Sequence, residues 1–354
     1  MNGPLAPTAP AAGAPRVPLA RRLGRGLRSG FARSTSLTVG SALVALFTVA
    51  AVAAPWLAGV APGEQFDAVA GRLLPPGSSR VPLVFADGRS LLAERIERSG
   101  DAVSVERLGR TETYAAASLA NLPPEGTPPA RLFVLGTDRF GRDVWARLLY
   151  GGRVSLAIGL LSVLVALVIG TLIGLVAGTS NEWVDNALMR FTDACLAVPR
   201  LFLLILLVAL FRPGLASLVL VIGGTTWMPV ARLVRGEILS LRERGFVDAA
   251  RGLGAGPLRL AFVHLLPNAL TPLAVYGGLL IGGVILLEAA LSFIGQGVKP
   301  PTPSWGAMIN EGNELRLAGW WVATFPGLAL VATVVAFNLL SDGLRDLLDP
   351  HQRR

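Results

Sequence analysis

The chain has 354 residues, of which 52% are hydrophobic and only 16% charged, and its mean hydropathy is +0.58. Soluble domains carry about 25% charge, so this deficit excludes an ordinary globular protein and points to the membrane. The net charge of +9 does not signal nucleic acid, because the arginines cluster beside apolar runs and no recognition motif accompanies them. One cysteine, Cys195, rules out an internal disulfide, and the two histidines, His264 and His351, exclude a His-rich metal catalyst.

In chain order, residues 1–36 form a Pro/Ala/Gly-rich tail that turns basic, with Arg16, Arg21, Arg22, Arg25, Arg28 and Arg33. The apolar run that follows is too long for a signal-peptide core. It is the first of six expected spans: 37–60, 154–177, 192–211, 214–234, 270–295 and 317–340. Each is near the roughly 20 helical residues that cross a hydrocarbon layer, and too long for a barrel strand. The third and fourth are separated only by Arg212 and Pro213, so one re-entrant pair is the alternative. Pro199, Pro229 and Pro326 mark helix starts or kinks.

Arginine placement sets the expected orientation. The tail holds six, and the segment between spans four and five holds Arg232, Arg235, Arg242, Arg244, Arg251 and Arg259, whereas the segment between spans five and six holds only Lys299 and Arg316. The positive-inside rule then puts the tail, the 235–267 segment and the C-terminal 342–354 in the cytoplasm, and the loop 61–134 outside. Within that loop, residues 78–130 read as a small subdomain: "VPLVF" a strand, "ADG" a turn, "SLLAERIERSG" a short helix and "AVSVERLG" a strand, followed by a Pro-rich connector.

The stretch "GFVDAARGLGAGPLRLAFVHLLPNALTP", residues 245–272, is too polar for membrane core and too apolar for a surface loop. Asp248 favours the positive end of a short helix. Ala249 and Ala250 keep one face small, Gly254 is a terminator that accepts positive φ, and Pro257 suits the first turn of a second helix. Pro267 and Asn268 then break that helix before span five. The expected product is two short helices at a bend, either a docking surface or an interfacial linker. No nucleophile–base pair accompanies it.

Three stretches resemble the membrane subunits of ABC importers, in the dipeptide, oligopeptide and nickel branch. The first is this bend: the family pattern is Glu-Ala-Ala, three residues, Gly, nine residues, an apolar residue, one residue, Leu-Pro. Here it reads Asp248-Ala249-Ala250, Gly254, His264 and Leu266-Pro267. Asp replaces Glu, and His264 takes the usual Ile position in the form typical of that branch. The others are "LGTDRFGRDVWARLLYGGRVSL", 135–156, and "LLEAALSFIGQGVKPPTPSWGAMINEG", 286–312. The resemblance covers 135 to the end, and 78–130 departs from it as an insertion.

The resemblance implies an all-α integral membrane protein of the bacterial inner membrane, with six transmembrane helices in the type I importer arrangement, a permease core at 135–341 and a small extracytoplasmic insertion. It implies a second homologous permease subunit, two cytoplasmic ATP-binding subunits and an extracytoplasmic solute-binding protein as partners in the lipid bilayer, with no nucleic acid. Asp248, Ala249, Ala250, Gly254 and Pro267 would couple to the ATPase. ATP and Mg²⁺ would be bound by the partners, since Lys299, the one lysine, follows Val and cannot complete a P-loop. A self-sufficient secondary transporter or channel is the alternative. An intramembrane enzyme would need a base beside Ser155, Ser162 or Ser292, and a scaffold for the outer subdomain would not need the bend.

Several further residues carry expectations. Gly170, Gly174 and Gly178, and again Gly278 and Gly282, recur at four-residue spacing and allow close helix contact, within the subunit or at a moving seam. Glu288 inside span five is a capping or scaffold carboxylate, or a substrate contact. Asp138, Arg139, Arg142 and Asp143 fix a turn or a subunit seam, or form an acid–base site. Cys195 is a small apolar filler, and Trp320 and Trp321 suit an interfacial belt.

Overall fold

The computed structural model describes residues 34–123, 126–211 and 214–348. The basic tail with its arginines at 16–33, the Arg212–Pro213 hinge and the C-terminal residues including His351 lie outside the described residues. Four helices are long and apolar enough to cross a membrane, and two bent pairs raise the number to as many as six.

Helix α1 (Thr35–Val52) begins at Ser34, whose hydroxyl accepts the Leu37 amide at 3.3 Å, and a short α2 (Ala54–Ala58) follows. The long α3 (Val144–Thr179) starts at Asp143, whose carboxylate accepts the Trp145 amide at 2.9 Å. It therefore begins ten residues before the expected span.

The third span is not one straight helix. It is α4 (Glu182–Ala197) and α5 (Arg200–Leu210), meeting at 88° across Val198 and Pro199. Pro199 lacks the amide that would continue α4. The fourth is likewise α6 (Leu215–Gly224) and α7 (Trp227–Arg242), meeting at 43°. A short α8 (Gly245–Gly252) leads into α9 (Pro257–Phe293), then α10 (Trp305–Leu315) and α11 (Trp320–Leu348).

Glycines set the helix contacts within the subunit. A Cβ on Gly170 would lie 2.5 Å from Val230 Cβ, and one on Gly174 would lie 2.5 Å from the Ala231 carbonyl oxygen. Gly178 meets Ile238 in the same way, so the small face of α3 is filled by α7. Gly282 faces Val334 on α11, and Gly278 faces Ser341. With no Cβ in the way, backbones approach closely and gain dispersion contacts where lipid supplies no hydrophobic drive.

Apart from a 3-10 turn at Ala116–Ser118, the regular structure of the insertion is β. Strands β1 (Ser78–Val84), β2 (Ser90–Ala93) and β6 (Arg131–Phe133) form one antiparallel sheet in the order β2-β1-β6. Strands β3 (Arg95–Ser99), β4 (Ala102–Arg107) and β5 (Arg110–Ala115) form a second in sequence order. The helix expected over "SLLAERIERSG" is corrected: those residues are β2 and β3. Leu, Ala, Glu and Arg favour helix by only tenths of a kcal/mol per residue. Pairing Arg95–Ser99 with Ala102–Glu106, and burying Leu92 and Ala93 completely, outweighs that preference. Gly100, at φ 60°, closes the hairpin. Ser78 pairs with Phe133, so the insertion leaves and re-enters the chain at adjacent points.

Asp67 fastens the insertion to the chain before it. Its carboxylate accepts the amides of Val69, Ala70 and Leu92 and a two-pronged contact from Arg107 at 3.0 and 3.1 Å. Burial pushes this carboxyl upward, but the Arg107 contact and the three amides outweigh it, and its pKa lies below the ordinary range.

Candidate functional site

The bend lies at the end of the bundle opposite the insertion, where α7 and the end of α3 run out together and the Arg242 guanidinium donates to the Gly178 carbonyl at 2.8 Å. Helix α8 ends in a Schellman motif: the Ala255 amide donates to the Ala250 carbonyl at 3.0 Å and the Gly254 amide to Arg251 at 2.9 Å. Gly254 sits at φ 82°, where a side chain is strained, so its expected role as terminator is observed. Pro257 opens the next helix as expected.

The two alanines part company. Ala250 is buried with Val247 against Ile238, Leu241, Leu260 and Leu265, whereas Ala249 is exposed. A helix turns 100° per residue, so adjacent positions cannot share a face. Only Ala249 therefore belongs to the small outward surface expected of both. Asp248 is in the first turn and exposed, paired with Arg251 at 3.3 Å. Around them Phe246, Leu258 and Phe262 are exposed, and Leu253 is 89% exposed.

Pro267 does not break the chain into two helices. Residues Leu260–Leu265 form a π-helical turn that passes directly into the rest of α9, with Pro267 near the start of that part. The wider turn absorbs the missing amide, and the Asn268 side chain donates to the His264 carbonyl at 2.6 Å. The bend and the span are thus one continuous helix from Pro257.

At the opposite end, "GTDRFGRD" folds as a turn locked by buried charge. Asp138 accepts Arg142 Nε and Arg147 Nη1, each at 2.6 Å, and Glu311 on α10 accepts the same two guanidinium groups at 2.8 and 2.9 Å. Arg139 pairs with Glu314, and Asp143 with Arg131. Every carboxylate is matched by a guanidinium, which suits a structural clamp within the subunit. Glu288 is fully buried; it accepts Ser155 at 3.0 Å and Ser292 at 2.7 Å, and Ser155 accepts the Trp305 amide at 3.2 Å. Trp321 is also buried, donating to the Thr137 carbonyl at 3.0 Å, so of the expected belt pair only Trp320 is exposed. Cys195 packs beside Ala166, Trp227, Met228 and Ala231.

One constellation was not anticipated from the sequence. Arg200, the first residue of α5, donates to the Thr226 hydroxyl at 2.6 Å, at the point where α7 begins. The available signal was a charge directly after Pro199 at the head of an otherwise apolar run, "RLFLLILLVAL".

Residues 170–354 match the family model described as "Binding-protein-dependent transport system inner membrane component". The chain is 44% identical over 230 residues to the di/tripeptide transport system permease protein DppC of Pseudomonas aeruginosa, an alignment covering 63% of this chain and 76% of that protein. It is 43% identical to the glutathione transport system permease protein GsiD of Pectobacterium atrosepticum, covering 63% and 74%. It is 41% identical to the dipeptide transport system permease protein DppC of Haemophilus influenzae, covering 65% and 78%. Among solved structures, an inward-facing form of the MetNI methionine ABC transporter aligns at TM-score 0.47 and 20% identity, covering 57% of this chain and 96% of that one.

Proposed function

This chain belongs to the family of binding-protein-dependent transport system inner membrane components, and from that premise we propose that it forms one half of the translocation path of an ATP-driven importer of short peptides. Relatives named for di- and tripeptide transport support that substrate class. The other half is a second permease subunit, a solute-binding protein delivers the peptide from outside, and two ATPase subunits at the cytoplasmic face hold ATP and Mg²⁺.

One observation carries the coupling role. The bend presents Phe246, Ala249, Leu253, Leu258 and Phe262 outward, while Val247 and Ala250 lock its inner side to the bundle. An apolar surface of this kind, at the polar end of a bundle, is suited to cover by a partner. Rigid continuity from Pro257 into α9 lets force on the bend tilt a whole span. Asp248 and Ala249 then make the contact, Gly254 shapes it, Ala250 anchors it, and Pro267 sits in the transmitting turn. The arginine distribution supports six crossings in the type I arrangement with both termini in the cytoplasm.

The test is purification of the assembled complex in mild detergent and reconstitution into liposomes. ATP-dependent peptide accumulation is expected only when the ATPase subunits are present. Accumulation by this chain alone would instead establish a secondary transporter. In a Cys195→Ala background, a cysteine replacing Leu253 should react with a membrane-impermeant thiol reagent from the cytoplasmic side only.

A further inference from the structure

We propose that Arg200, held by Thr226 at the start of α5, forms a carboxylate-binding site at mid-membrane depth, which takes the C-terminal carboxylate of the transported peptide. The proposal rests on the peptide-importer reading above and adds a recognition site within the membrane part.

Depth follows from helix contacts. A Cβ on Gly223 would meet the Ser162 carbonyl at 2.8 Å, and one on Gly170 would meet the Trp227 carbonyl at 2.7 Å. Thr226 therefore sits level with α3 between Ser162 and Gly170, around the centre of the apolar stretch 154–177. A guanidinium bonded to Thr226 lies at that depth too.

Charge makes the site selective for anions. The other described arginines on α4 to α7 that form ion pairs do so nearer the bend: Arg235 with Asp185 and Arg232 with Asp193. Arg200 has no carboxylate within ion-pairing distance among the described residues. Thr226 donates its own proton to the Ile222 carbonyl, so its oxygen is free to accept from Arg200. That single bond leaves the other guanidinium donors available. Helices α5 and α7 both begin here, and neither has a side chain capping its first amides. The start of α5, turned 88° from α4, adds the positive end of its own backbone to this cation, whereas the start of α7 follows the negative end of α6 at only 43° and adds little.

The open side of the group excludes lipid as its neighbour. Arg200 is exposed in the isolated subunit, and a guanidinium facing hydrocarbon at mid-depth is strongly unfavourable. The side away from Thr226 must face water or a polar partner, which in a two-subunit path is the path itself. A carboxylate bound by the guanidinium fork fits planar, two-pronged recognition.

The experiment uses the complete reconstituted complex and two probes, trialanine and trialanine amide, each at saturating binding protein. Wild type should favour the free acid. Arg200→Gln should assemble at wild-type yield but lose at least tenfold of the acid-over-amide preference, and Arg200→Lys should recover part of it. An unchanged preference in Arg200→Gln overturns the site while leaving the importer reading intact. Failure of Arg200→Gln to assemble with the second permease subunit also overturns it, because the cation then serves an intersubunit ion pair. If the wild-type complex moves no peptide, the importer reading fails and this site falls with it.

Discussion

Ser155 on α3 donates to Glu288 on α9 at 3.0 Å, and neither residue is reached by solvent. Glu288 also accepts Ser292 one turn along its own helix, and Ser155 accepts the Trp305 amide. The carboxylate is therefore the hub that ties two spans to the start of α10. Replacing it with Leu leaves buried hydroxyls without an acceptor, at about 1–3 kcal/mol for each group left unmet. Glu288→Leu should lower the apparent Tm of the detergent-solubilised complex by several degrees, whereas Glu288→Gln, which keeps one of the two accepting oxygens and offers an N–H to the other serine, should lose less. Equal loss in both variants would show that the negative charge, and not the bonding, is what matters.

The contact between Gly174 and the Ala231 carbonyl predicts a steric failure. A Cβ there would lie 2.5 Å from backbone oxygen, which no rotamer change relieves. Gly174→Leu should abolish recovery of folded subunit, as read by size-exclusion yield. Gly283→Ala, on α9 with no atom within 4 Å of the added carbon, should be recovered normally. Wild-type yield and uptake for Gly174→Leu would refute the close packing of α3 on α7.

The outward position of Ala249 and the inward position of Ala250 separate coupling from stability. Ala249→Arg and Leu253→Asp should leave subunit yield unchanged and reduce ATP-driven uptake at least tenfold, through overfilling or desolvating a charge at the docking face. Ala250→Arg should reduce the yield itself, since it forces a charge among Val247, Ile238 and Leu265. Gly254→Pro should distort the bend, because proline cannot adopt φ 82°. Full uptake with Ala249→Arg would remove the docking face from that side of α8.

Asp67 makes the insertion pH-sensitive in one direction. Its folded pKa is depressed, so its contribution is complete above the ordinary aspartate range and is lost as pH falls through the folded value. Hydrogen exchange should show the amides of Val69, Ala70 and Leu92 losing protection together at acid pH. Asp67→Asn should reproduce that loss at neutral pH. Protection in Asp67→Asn equal to wild type would mean that the buried contacts of Leu92 and Phe133, and not this carboxylate, fasten the insertion.

The sequence by itself determined the membrane class, the approximate spans, the bend with Gly254 and Pro257, and the family. Those follow from local quantities: apolar run length, backbone restrictions of Gly and Pro, and motif spacing. Tertiary structure decided the rest. Whether "SLLAERIERSG" is helix or strand depended on a partner strand, Ala102–Arg107, that propensity does not include. Which of Ala249 and Ala250 faces outward depended on the rotation of α8 against Ile238 and Leu241. Pro267 continues the helix because a π-helical turn just before it accommodates the missing amide. Arg200 gains meaning only when Thr226, 26 residues away, comes within hydrogen-bond reach. Charge pairing and side-chain facing are properties of contacts between distant segments, and one-dimensional patterns carry no record of which segments meet.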